Sequence, residues 1–108
     1  MDFAFSDRHR QFREEVREFA RTEVTPEIFA DMERRGSEFH PGFHARLAAR
    51  GWVGMQWPRE YGGQGLDNLH VSIFNEELEY RFAPLTRCRT SVVFVGQSVI
   101  AFGSEEQK

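Results

Sequence analysis

Apolar positions recur along this chain with the period of a helix. Behind Ser6, the residues Phe12, Val16, Phe19 and Ala20 fall at i, i+4, i+7 and i+8, which predicts one face of an amphipathic helix with Ser6 as its N-cap. Glu14 with Arg17 and Glu18 with Arg21 sit three apart on the outer face, where each pair adds a few tenths of a kcal/mol. Thr25 and Pro26 read as a cap and first-turn proline, opening a second helix that runs to about Arg35 and stops at Gly36. Pro41 opens a third helix, with Phe43 and Leu47 facing inward and Gly51 at the left-handed terminating position. The stretch WVGMQW then continues as a buried, extended passage. Asp67 or Asn68 caps a fourth helix whose stripe is Val71, Phe74, Leu78 and Phe82, ended by Pro84. Residues 91–102 are apolar nearly all round, the pattern of a helix enclosed by others. No period-two run is long enough for a sheet. The expected fold is therefore all-α, a bundle of about five helices around a buried apolar helix at residues 91–102.

Composition narrows the function classes. A chain of 108 residues buries roughly 60 to 70% of its unfolded surface, enough for one core, so residues 1–108 read as a single domain. The net charge of -3 excludes a general nucleic-acid binder, which needs a basic face. Arg8, Arg10, Arg13, Arg17 and Arg21 alternate with Glu14, Glu15, Glu18 and Glu23, making a solvated helix face and not a cationic patch. Cys88 is the only cysteine; it allows no intramolecular disulfide and points to a reducing, cytoplasmic setting. The longest apolar stretch, residues 92–102, is about half of the roughly 20 residues that a membrane-spanning helix needs.

The most distinctive local segment is WPREYGGQG, residues 57–65. A dinucleotide fingerprint fails because Asn68 stands where its last glycine belongs, and a P-loop fails because no Gly-Lys-Ser/Thr follows. Asp67 beside the next helix start repels phosphate. The glycines instead permit positive φ and close backbone approach, with Pro58 holding the incoming chain extended. His40 and His44 have the spacing of two zinc ligands, but Pro41 and Gly42 intervene and no Glu follows the first, so they read as surface histidines. Glu76, Glu77 and Glu79 lack the Glu-x-x-His of di-iron bundles; Glu77 borders the apolar stripe, which predicts partial burial. Cys88 lies between Arg87 and Arg89 without a nearby histidine and reads as a packed residue. No catalytic residue and no metal set emerges from these motifs.

Three blocks carry a resemblance: Pro58, Glu60, Tyr61, Gly62, Gly63 and Gly65; then Glu76, Glu77 and Leu78; then Gly103 to Lys108, reading GSEEQK. In this order and spacing the chain resembles the N-terminal helical domain of the acyl-CoA dehydrogenase family over essentially its whole length. The resemblance implies a parent flavoenzyme with FAD, in which a base and most flavin contacts lie outside this domain. Its substrate would be an acyl-CoA, dehydrogenated between the α and β carbons, with electron-transfer flavoprotein or a similar acceptor and a homo-oligomeric state. It places an acyl-pocket wall at Thr90, Val93, Phe94 and Gln97, counted back from Gly103; the alternative is that Val93 and Phe94 are core. Arg81, Phe82, Arg87 and Arg89 are larger or more polar than the family pattern, a departure from a simple straight-chain fatty acyl substrate. Two other readings share the fold: a non-catalytic binding or assembly module, and the same domain of a flavin-dependent oxidase or monooxygenase.

The last six residues form an S-x-x-Q capping box, Ser104 to Gln107, after the glycine that ends the apolar helix. This predicts a domain truncated at its C-terminus, frayed there and exposing an apolar patch beside residues 95–102. The 108-residue chain is accordingly expected to self-associate in sedimentation, to retain no FAD and to oxidise no acyl-CoA. A stable monomer with full hydrogen-exchange protection over residues 92–108, or a chain purified with stoichiometric flavin, would be the contrary result.

Overall fold

A computed structural model describes residues 5–85 and 89–108. In chain order these form α1 (Asp7–Glu23), α2 (Pro26–Arg35), α3 (Pro41–Ala49), a 3₁₀ turn (Arg59–Tyr61), α4 (Asn68–Glu79) and a π-helix (Thr90–Gly96) that runs directly into α5 (Gln97–Phe102). No strand occurs among the described residues, and the all-α class stands. Cys88 and Arg87 lie outside the described residues.

The helix ends are set by short-range chemistry. Ser6 caps α1: its hydroxyl accepts from the His9 amide at 3.3 Å, and the His9 ring accepts from the Ser6 amide at 3.3 Å, a reciprocal box with histidine in the third position. Asp67 caps α4 by accepting from the His70 amide at 2.9 Å. His40, read from sequence as a surface residue, caps α3 through its ring, which accepts from the Phe43 amide at 2.9 Å. Thr25 occupies the cap position of α2 but its side chain makes no cap bond; Pro26 alone sets that start.

The core is organised around a residue that is in no helix. Gly51 ends α3 at φ +73°, with its amide bonded to the Ala48 carbonyl at 2.9 Å and the next amide, that of Trp52, to Leu47 at 3.1 Å, a Schellman motif. Trp52 is thereby turned inward, where it meets Phe12, Phe19 and Phe74 edge-on, at ring centroid distances of 5.8, 5.1 and 6.0 Å. Phe43, Leu47, Ile73, Leu78 and Val16 fill the surrounding space with no exposure.

Three expectations are corrected by this packing. The segment WVGMQW is not extended: it is a run of turns in which Gly54 takes φ +69°, while Trp52 and Met55 are buried. Phe82 does not continue the α4 stripe. The helix stops two turn residues earlier with the Ala83 amide on Leu78 and the Phe82 amide on Glu79, which leaves Phe82 left-handed at φ +57° and 82% exposed. Residues 91–102 are not the enclosed centre of the bundle. Trp52 and its aromatic neighbours already occupy the interior, so the π-helix and α5 lie at its edge and bury no residue fully, with Phe94 65% and Phe102 90% exposed.

α1 and α4 are tied by charge as well as by apolar contact. Glu77, only 8% exposed, accepts from Arg13 at 2.7 Å and from Arg17 at 2.9 and 3.3 Å; Arg13 also reaches Glu76 at 3.2 Å. The bonds from Arg17 and Arg13 outweigh desolvation and hold the Glu77 carboxyl below its ordinary value of 4.5. A depressed native value means that the stabilisation is complete above about pH 4.5 and is lost as the pH falls through the native value. Glu77→Gln should lower stability by about 1–3 kcal/mol at neutral pH and flatten the acid limb of the unfolding curve. Thermal melts from pH 3 to 7 that keep the wild-type slope in this variant would show that the pairing contributes nothing.

Candidate apolar pocket and the Trp57 brace

The glycine-rich segment folds on its own tryptophan and positions the exposed helix. Trp57 donates its indole N–H to the Val92 carbonyl at 3.2 Å, giving that π-helical carbonyl a partner outside the helix. The indole lies between two glycines: a Cβ on Gly96 would come 2.2 Å from Trp57 Cζ2, and one on Gly54 2.8 Å from Trp57 Cδ2 and Cε3. Gly63 folds back so closely that a Cβ there would come 2.1 Å from the Trp57 carbonyl oxygen. Gly62 and Gly65 take φ +88° and +61°, as the turn reading required. The approach at Gly63 is filled by Trp57, and the Asp67 carboxylate takes the amide of His70, the third residue of α4. These residues do not fit a flavin or nucleotide phosphate.

Between the π-helix and the core lies an apolar cavity of about 260 Å³, lined by Trp52, Met55, Phe74, Leu85, Val93 and Phe94 among others. Gln56, Asn75 and Arg89 are its polar members; Arg89 pairs with Glu79 and lies 3.5 Å from Asn75. Of the four residues placed on the pocket wall from sequence, Val93 and Phe94 line this cavity. Gln97 lies in a separate groove beside Trp57, Pro58 and Ile100, and Thr90 borders another with Phe82 and Phe94. Trp57, Trp52 and Met55 were not singled out for the site, since only the pairing of distant segments reveals them.

A second cluster joins the starts of α1 and α4. The Asp67 carboxylate receives the His70 ring Nδ1 at 2.8 Å and the His9 ring Nε2 at 3.0 and 3.2 Å. Partial burial pushes the Asp67 carboxyl up, but the bonds from the His70 amide, the His70 ring and the His9 ring outweigh it and hold the group well below the usual carboxylate range. The two imidazoles are neighbours, their centroids 4.6 Å apart and their planes tilted by 51°.

A helical domain with an apolar cavity under an exposed helix is the class that the fold and pocket define. Residues 6–108 match the model of the acyl-CoA dehydrogenase N-terminal domain, and the chain belongs to that family. It is 28% identical to acyl-CoA dehydrogenase FadE26 of Mycobacterium tuberculosis, over all of this chain and 28% of that protein. It is 34% identical to CarC, a subunit of the caffeyl-CoA reductase-Etf complex of Acetobacterium woodii, over 68% of this chain and 19% of that one. The crystal structure of the ChsE4-ChsE5 complex from M. tuberculosis contains a chain that superposes with a TM-score of 0.84 at 27% identity, over 99% of this chain and 27% of that one. The chain thus spans about 28% of the length of a curated relative.

The brace gives a substitution whose sign is informative. Gly→Ala in an unobstructed helix stabilises by up to about 1 kcal/mol, whereas an added methyl in a filled contact costs about 1–3 kcal/mol. Gly96→Ala should therefore lower the thermal midpoint and increase the exposure of Trp57 in fluorescence quenching. A raised midpoint with unchanged quenching would show that Trp57 does not rest on the helix.

Proposed function

We propose that this chain is the N-terminal domain of an FAD-dependent enzyme that removes hydrogen from the α and β carbons of an acyl-CoA thioester, and that it supplies one wall of the acyl pocket. The observation that carries the reading is the apolar cavity beneath Val93 and Phe94, on a helix braced from outside by Trp57. FAD held by the whole protein would supply the hydride acceptor; this domain is assigned no part in that transfer or in proton abstraction. Its contribution is to hold the acyl group and exclude water, because a proton and a hydride leaving adjacent carbons require alignment in a dry site. In this proposal Thr90 and Gln97 flank the wall that Val93 and Phe94 form.

The Etf complex named for CarC supports an electron-transfer flavoprotein as redox partner, and the ChsE4-ChsE5 complex supports an oligomeric parent. The uncovered residues Val95 and Phe102, 59% and 90% exposed, suit a face that packs against further parts of such an assembly. No described helix is long and apolar enough to cross a membrane. A cytoplasmic site of action, and the reading of residues 1–108 as one domain, belong to the same proposal.

The test is made in the full-length parent. Phe94→Ala should enlarge the cavity and shift the kcat/KM ratio between long or bulky and short acyl-CoA substrates by about tenfold or more. If the ranking across a chain-length series is unchanged and only stability falls, Phe94 is a packing residue and the pocket assignment fails.

A further inference from the structure

We propose that His9, Asp67 and His70 form a binding site for a divalent transition-metal ion of the zinc class, independent of the acyl-pocket reading. The two histidines lie 61 positions apart in the sequence and meet only because α1 and α4 begin side by side. One donor atom from each of the three residues lies within 4.8 Å of the others. Two imidazole nitrogens with one carboxylate oxygen form a donor set for zinc, cobalt or nickel, whereas magnesium and calcium require mostly oxygen.

The distances are close to those of coordination. With metal–ligand bonds near 2.0–2.2 Å, neighbouring donors of a tetrahedron stand about 3.3 Å apart. The Asp67 oxygens are 2.8 Å from His70 Nδ1 and 3.0 to 3.2 Å from His9 Nε2, so the two carboxylate edges need open by only a few tenths of an ångström, while the two ring nitrogens lie within 4.8 Å of each other and the rings turn to set the third edge. Coordination places each ring proton on the far nitrogen. For His9 that nitrogen, Nδ1, lies 2.7 Å from the Ser6 hydroxyl, which would accept the proton and fix the ring as outer-shell groups do at metal sites, in exchange for the bond that the Ser6 amide donates to the same nitrogen without metal.

Burial is graded in the way an accessible site needs. The side chains of His70 and His9 are 4% and 12% exposed, while that of Asp67 is 52% exposed, so an ion enters past the carboxylate and keeps a water in its fourth position. The His70 amide engages Asp67 Oδ1, while Oδ2 meets only the ring of His9, itself one of the three ligands. The positive ends of two helices face the ion and oppose it. With only three protein ligands as well, the affinity falls below that of four-ligand structural sites, to a Kd on the order of 1 µM.

The same groups would serve as a hydrogen-bonded clasp without metal, and the experiment separates these readings. The 108-residue chain is titrated with Zn(II) by calorimetry and with Co(II) by visible absorption at pH 7.5. The expected result is 1:1 binding, a tetrahedral cobalt spectrum and a zinc-dependent rise in the thermal midpoint. His9→Gln and Asp67→Asn should each weaken binding at least tenfold, the second retaining a competent helix cap. His44→Gln should change nothing, and Mg(II) should not bind. Absence of 1:1 binding at 100 µM zinc, or equal binding by wild type and the folded Asp67→Asn variant, would overturn the metal site and leave the clasp.

Discussion

Everything in this domain is arranged around the need to bury one indole. Trp52 belongs to no helix, yet three aromatic rings from α1 and α4 meet it edge-on, the orientation favoured by the ring quadrupoles. Its delivery depends on the left-handed Gly51, and that glycine is further constrained because a Cβ there would come 1.9 Å from the Gln64 side chain. Gln64 in turn donates to the Arg50 carbonyl at 3.2 Å, and Arg50 lies over the Trp52 and Phe19 rings at 5.6 Å. A helix terminus, a loop and an aromatic cluster are thus one mechanical unit.

With the interior assigned to Trp52, the edge of the bundle becomes available for recognition. The glycine segment that opens no phosphate site carries Trp57 to the underside of the π-helix, and the cavity lies where that helix stands off the core. The domain presents an apolar face on a braced rather than a buried helix. This arrangement suits a wall completed by other structure better than the independent core expected from hydrophobicity alone.

What the sequence disclosed was local. Ser6, Pro26, Gly36, Pro41 and Asp67 mark helix ends through bonds or torsions a few residues long, and each mark is realised in position. The reciprocal bonds of Ser104 and Gln107, at 2.9 and 3.3 Å, were legible for the same reason. The burial of Glu77 was hinted at by its place beside the stripe, although its two arginine partners lie a helix away. Phe82 misled because a bulky residue in a left-handed terminus contradicts its own propensity. Residues 91–102 misled because hydrophobicity states that a surface will be covered and not what covers it. The His9, Asp67 and His70 cluster was invisible, since no local spacing relates residues on two helices.

The two tryptophans divide the domain into separately observable parts. Trp52 is 5% exposed at the centre of the aromatic cluster, whereas Trp57 is partly exposed and bonded to the π-helix. With no third indole in the chain, emission from single-tryptophan forms would follow two different events: consolidation of the core, and docking of the outer helix upon it. The protein carries an optical reporter at each level of its organisation, and the order in which the levels assemble can be read without adding a label.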